Sequence, residues 1–142
     1  MGFSLVGAAA IIGVSLLMVI EIIVSTTIPT LTDVHSAFDE MNDRAIAQVQ
    51  TDINITEVNS IVNGSNYDIN ITVENTGSIT LETTFFDILI NGTKNDFSCS
   101  NFYIHPENIV YFIVSNLSGS GINRLKIVTN NGISDYYEFI LP

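Results

Sequence analysis

Residues Phe3 to Val24 read FSLVGAAAIIGVSLLMVIEIIV, a run without Lys or Arg and with a single acid, Glu21. At 1.5 Å per residue such a run makes roughly 33 Å of helix, about the hydrocarbon thickness of a bilayer. No other stretch of the chain is comparably apolar. Residues 1–28 are therefore assigned to a transmembrane or assembly helix, and the rest to a cargo that it holds at a surface or in an assembly. The side chains expected to meet lipid or neighbouring helices are Phe3, Leu5, Val6, Ile11, Ile12, Leu16, Leu17 and Ile20. Gly7, Gly13 and the run Ala8-Ala9-Ala10 give a smooth face that another helix can approach, although small residues are common in membrane helices generally. Glu21 is costly inside an apolar span. It either pairs with a cation or amine of a neighbouring subunit, or lies at the outer interface one turn before Ser25, Thr26 and Thr27. A cleaved signal peptide has a basic start, a shorter apolar core and a small-x-small cleavage site. The run from Phe3 has none of these, so it is expected to be retained.

Outward from this run, Pro29 removes a backbone donor and is expected to kink the helix. Beyond it Leu31, Val34, Phe38, Met41, Ala45 and Val49 recur at steps of three and four, with Asp33, Asp39, Glu40, Asp43 and Arg44 between them. That spacing predicts an amphipathic stalk over residues 29–51 with one narrow apolar stripe. From residue 52 the period becomes two. Ile53 and Ile55 alternate with polar neighbours, as do Tyr67, Ile69, Ile71 and Val73, and further strands are expected near 79–90, 96–104, 108–115, 122–129 and 133–141. Asn63-Gly64-Ser65, Asn75-Thr76-Gly77, Asn91-Gly92, Ser118 to Gly121 and Asn131-Gly132 separate them; Asn-Gly between alternating runs is a strong hairpin signal. The expected fold class is all-β with an N-terminal helix: a long hydrophobic helix, then a small antiparallel Ig-like β-sandwich of six to seven strands over residues 52–142, lollipop-like in outline. Ile109 to Val114 is apolar on both faces, so that strand is central or its second face meets a partner.

Composition narrows the function. The net charge is -11 and the chain has four basic residues, which disfavours nucleic acid, whose binding needs clustered Lys and Arg. One cysteine, Cys99, cannot form an intrachain disulfide and reads as a small buried hydrophobe. His35 and His105 stand apart, and no His, Cys or carboxylate cluster has metal-ligand spacing. Asp and Asn gather in turns such as Asn91 to Asp96 without forming a calcium-loop pattern. No phosphate-binding glycine loop or nucleophile elbow occurs. The expectation is a non-enzyme without cofactor or metal.

The recurrent chemical motif is the N-x-Ser/Thr sequon, at Asn54, Asn63, Asn70, Asn91 and Asn116. In a chain so rich in Asn, Ser and Thr about two or three would arise by chance. Their confinement to the β region still favours an exported domain. Asn70, inside an alternating strand, is the weakest acceptor.

Two segments carry a family resemblance. ITVENTGSITLETTFFDILINGT (Ile71 to Thr93) resembles the first half of an archaellin β domain, with an alternating strand, an N-T-G turn and a strand ending in I-N-G-T. LKIVTNNGISDYYEF (Leu125 to Phe139) resembles its closing hairpin. Archaellins are made with a short basic leader and are longer, whereas this chain starts MGFS with no basic residue. These departures suggest the archaellum accessory proteins of the FlaF and FlaG type, which resemble archaellins but keep their membrane helix. The resemblance implies an outward-facing β-sandwich above a helix in the cytoplasmic membrane of an archaeon, an orientation that the few Lys and Arg residues leave undecided. It also implies a stator-like link in the cell envelope, with S-layer protein and other archaellum accessory proteins as partners.

The leading expectation is thus a structural protein that anchors or braces the archaellum against the S-layer through its β-sandwich. Tyr103, Tyr111, Tyr136 and Tyr137 are candidates for the partner surface, or else core residues. The alternative is a filament-forming subunit, FlaG-type, minor archaellin or pilin-like, that polymerises through its N-terminal helix and sits in a surface filament. A solute-binding or adhesion module is a more distant third.

Overall fold

The computed structural model describes residues 2–142. They divide into two compact units, one ending at Asp43 and one running from Arg44 to Pro142. The helix α1 spans Gly2–Gln50 and continues through Pro29. Proline lacks the N–H that would bond the Ser25 carbonyl, so continuity costs one hydrogen bond rather than the helix itself. Hydroxyls around it bond back into the helix, Thr26 to the Ile22 carbonyl and Thr30 to the Thr26 carbonyl, both at 2.7 Å.

Ten strands follow among the described residues: β1 (Ile53–Asn63), β2 (Asn66–Asn75), β3 (Leu81–Glu82), β4 (Asp87–Ile90), β5 (Thr93–Asn95), β6 (Ser98–Cys99), β7 (Tyr103–Ile104), β8 (Ile109–Leu117), β9 (Gly121–Val128) and β10 (Ser134–Leu141). They form a sheet ordered β1-β2-β8-β6, a second ordered β10-β9-β4-β5, and a small β3-β7 pair. Every pairing is antiparallel. Inward residues of both large sheets meet in one core: Ile69, Ile71, Val73, Val110, Phe112 and Val114 from the first, Ile88, Ile90, Leu125, Ile127, Phe139 and Leu141 from the second. Phe112 is its centre, stacked on Phe86 at 5.7 Å and meeting the edge of Phe97 at 5.3 Å. The helix-then-β-sandwich class expected from the periodicity is the class observed, with four of the ten strands only two or three residues long.

Two differences from the sequence expectation have local causes. Residues 79–90 are not one strand. Leu81 and Thr83 point inward at odd positions, whereas Phe86, Ile88 and Ile90 point inward at even ones. A 3-10 turn over Thr83–Phe85 absorbs that change of phase and passes the chain from the β3-β7 pair to the second sheet. Thr83, fully buried, fixes the turn by donating its hydroxyl to the Asn101 carbonyl at 2.7 Å. The stretch 96–104 likewise splits into β6 and β7, one in a large sheet and one in the small pair.

The turns obey their glycines. Asn91 and Gly92 have φ of 50° and 83°, positive at both central positions of the two-residue β4-β5 hairpin, as a type I′ turn requires. The other decisive glycine is Gly77. A Cβ there would stand 2.5 Å from the Gln50 carbonyl oxygen and 2.6 Å from the Asp52 nitrogen, so only glycine lets this turn meet the end of α1. Asn75, two residues earlier, is fully buried. Its side-chain amide donates to the Ile79 and Ile104 carbonyls and accepts from Gly77 N–H, replacing the water it has lost. The last helical turn is tied down on the other side by Gln48 to the Asn131 carbonyl (3.0 Å) and Asn131 to the Thr51 hydroxyl (2.7 Å).

Candidate functional site

The helix is the first candidate. By length and composition α1 is long and apolar enough to cross a membrane. Phe3, Leu5, Val6, Ile11, Ile12, Leu16, Leu17 and Ile20 are all more than half exposed. Apolar side chains left in water forfeit their burial energy, about 25 cal/mol per Å². This surface therefore calls for lipid or other helices. Ser15 and Ser25 satisfy their hydroxyls on carbonyls of the preceding turn, which makes them tolerable in an apolar setting. Cβ atoms built at Gly7 and Gly13 meet nothing within 4 Å, so both positions are open to a neighbour. Glu21 is exposed on the same segment. Further along, the stripe Leu31, Val34, Phe38 and Met41 is also uncovered.

The β-sandwich offers two outer faces. On the first sheet β8 places Val110, Phe112 and Val114 inward and Ile109, Tyr111 and Ile113 outward, the last three 47 %, 47 % and 45 % exposed. Beside them on β2 lie Glu74, Thr72 and Asn70, directly opposite in register. The two-faced apolar run 109–114 thus sits on an interior strand and still presents an uncovered apolar row. On the second sheet Tyr136 projects outward from β10, with the Arg124 guanidinium 4.7 Å and the Lys126 ammonium 5.1 Å from its ring. A hydrogen bond with Lys126 favours the phenolate and lowers the Tyr136 pKa below its ordinary 10.0. Lys94, bonded to Asp87 at 2.6 Å, has its pKa raised by that carboxylate.

The four tyrosines singled out from sequence do not share a surface. Tyr111 and Tyr136 lie on opposite sheets, Tyr103 is exposed on the short β7, and Tyr137 packs against the core. Sequence reasoning missed Phe85 and Phe102. Both are well exposed beside a groove of about 820 Å³ between β5 and β6, which Phe97 and Cys99 also line. Their exposure follows from the 3-10 turn and the β6-β7 break, which periodicity does not reveal.

The five sequons differ in setting. Asn54 is exposed on the edge strand β1. Asn63 is exposed at the β1-β2 turn and bonds Asp68; Asn116, with φ of 66°, accepts from Asn66. Asn91 has both ends of its amide engaged, donating to Asn123 at 2.8 Å and accepting from Arg124 N–H at 2.9 Å. Asn70 is half-buried, and its side-chain oxygen has no hydrogen-bond partner. Among the described residues no group of three or more His, Cys, Asp or Glu is placed to hold a metal. His35 faces Asp39 at 3.5 Å, and His105 shares a hydrogen bond with Thr80 at 2.9 Å.

No protein-family model and no curated protein matches the sequence. Among solved structures the chain is similar to the archaellum periplasmic stator protein FlaG from Sulfolobus acidocaldarius. The two are 21 % identical with a TM-score of 0.53, over 63 % of this chain and 99 % of that one. A second similar structure is that of the stator complex of FlaF and FlaG from the same organism, at 20 % identity and a TM-score of 0.47, over 61 % of this chain and 87 % of that one. The fold is FlaG-like.

Proposed function

We propose that this chain is a non-catalytic structural component of the archaeal motility machine, a stator-like protein of the cell envelope. The observation that carries it is the pairing of a FlaG-like fold with an exposed apolar helix long enough to cross a membrane. In this reading residues 1–28 hold the protein in the cytoplasmic membrane, residues 29–51 form a stalk, and the β-sandwich faces outward. The sandwich binds S-layer protein and other archaellum accessory proteins. The uncovered row Ile109, Tyr111 and Ile113 and the short outer strands β5 and β6 supply apolar contact and unpaired backbone for docking. Bracing against a rotating filament needs only such contacts and a fixed end, so it asks for no catalytic residue.

The test uses residues 30–142 as bait against solubilised cell envelope. Recovery of S-layer protein is expected, together with membrane fractionation of the full chain. A bait that binds no S-layer protein refutes the bracing role. A second reading, a filament subunit that polymerises through α1, is favoured by the open helix surface at Gly7 and at Gly13. It predicts filaments from the full-length chain, and Glu21→Gln would impair them if the carboxylate pairs with a neighbour. Assembly untouched by Glu21→Gln removes that pairing.

A further inference from the structure

Three Asn-Gly pairs occur in the chain, Asn63-Gly64, Asn91-Gly92 and Asn131-Gly132, each in a turn between strands. In such a pair no side chain shields the glycine nitrogen, which can attack the asparagine side-chain carbonyl. The attack needs a carboxamide free to turn toward the chain and a following N–H that is not already donating. Asn91 fails the first condition. Its Nδ2 donates to Asn123 at 2.8 Å and its Oδ1 accepts from Arg124 N–H at 2.9 Å. Asn131 fails both. Its Nδ2 donates to the Thr51 hydroxyl at 2.7 Å, and Gly132 N–H donates to the Thr129 carbonyl at 2.9 Å. Asn63 stands apart. Residues 61–65 are all exposed, and Gly64, with φ of 65°, opens the two-residue loop of the β1-β2 hairpin. The Asn63 Nδ2 makes one exposed hydrogen bond, to Asp68 at 3.0 Å. Neither its Oδ1 nor the Gly64 N–H has a partner among the described residues.

We propose that Asn63 is a site of deamidation through a succinimide, selected by the fold from the three Asn-Gly pairs. The Gly64 nitrogen forms a bond to Asn63 Cγ and gives up its proton. The Cγ–Nδ2 bond breaks, and Nδ2 leaves as ammonia carrying that proton. Water then opens the ring at either carbonyl, which yields aspartate or isoaspartate. Either product sets a new carboxylate beside that of Asp68, where a hydrogen bond was donated before, so attraction turns to repulsion. Isoaspartate also adds a methylene to the backbone at a position whose pairing with Asn66 closes the hairpin. The disturbance extends to β8, because Asp68 also accepts from Asn116 N–H at 2.9 Å. A glycan on Asn63 would occupy the nitrogen that leaves, so the reaction belongs to chains unglycosylated there. None of this rests on the envelope role proposed above.

The experiment ages the full chain, produced without glycosylation and held in a nonionic detergent, at mildly alkaline pH. Isoaspartate is followed by isoaspartyl methyltransferase labelling and peptide mapping. Asn91 and Asn131 each give up two hydrogen bonds before attack and Asn63 one, so Asn63 is expected to react about fivefold faster or more. In denaturant the three rates converge, since only folding separates them. Asn123→Ala, which frees the Asn91 Nδ2, raises labelling at Asn91. Asn63→Gln, whose longer side chain closes the ring poorly, removes labelling at that position. Amide hydrogens of the β1-β2 tip exchange faster in aged than in fresh wild type, and equally in aged and fresh Asn63→Gln. An Asn63 that stays intact, an Asn91 or Asn131 that keeps pace with it, or an unchanged ranking in denaturant overturns the proposal.

Discussion

Gly77→Ala isolates the most demanding contact in the sandwich. The added Cβ would lie 2.5 Å from the Gln50 carbonyl oxygen and 2.6 Å from the Asp52 nitrogen, where ordinary contact begins near 3.4 Å. Both obstacles are backbone, so no rotamer change relieves them, and the turn must withdraw by about 0.9 Å. That same turn is held by Thr76 and Gly77 N–H on the Asp52 carbonyl, at 3.1 and 3.0 Å, and by Ser78 N–H on the Gln50 carbonyl, at 2.9 Å. Stretched by that displacement, all three pass beyond hydrogen-bonding distance. At about 1 kcal/mol each the loss is about 3 kcal/mol. Alanine recovers about 0.4–1 kcal/mol by stiffening the unfolded chain, so the net cost is about 2–3 kcal/mol. For a unit of this size that lowers the melting temperature by about 10–20 °C. The assay is thermal unfolding followed by circular dichroism of the β signal, wild type against variant. The sign is diagnostic, because Gly77 lacks a positive φ and the same substitution at an uncrowded site would stabilise. An unchanged or raised melting temperature would refute the close approach of the N-T-G turn to the helix end.

Phe112→Ala should cost about 3–5 kcal/mol, since it empties a fully buried site between Phe86 and Phe97; chemical denaturation measures it, and a loss below 1 kcal/mol would contradict the core described here. In an ultraviolet pH titration Lys126→Met should raise the pH at which Tyr136 ionises. Because its folded pKa is depressed, its contribution to stability is present above the unfolded value of 10.0 and is lost as pH falls through the folded one. A titration unchanged by Lys126→Met would count against the Lys126 contact. Peptide mapping of protein from its native host should find glycan at the exposed Asn54, Asn63 and Asn116, but not at Asn70 or Asn91; a modified Asn91 would mean that its contacts with Asn123 and Arg124 do not hold.

What the sequence by itself determined is what depends on neighbours a few residues away. Apolarity on every side of residues 3–24 specified an uncovered helix, and steps of three and four extended it to about residue 50. The change to period two beyond Thr51 ended it and began the strands, while Asn91-Gly92 and Asn63-Gly64-Ser65 set hairpins because their residues accept positive φ. Tertiary structure decided what depends on distant partners. Sheet order places β8 between β2 and β6, and β9 between β10 and β4, because burying one shared core dictates those pairings rather than adjacency in the chain. The same packing broke residues 79–90 at Thr83–Phe85, where each half serves a different sheet. It gathered Lys94 with Arg124 and Lys126 across 30 positions of sequence, and made Gly77 irreplaceable by pressing its turn against the end of the helix. Period and turn chemistry are written residue by residue, whereas contact between remote segments exists only once the core has closed.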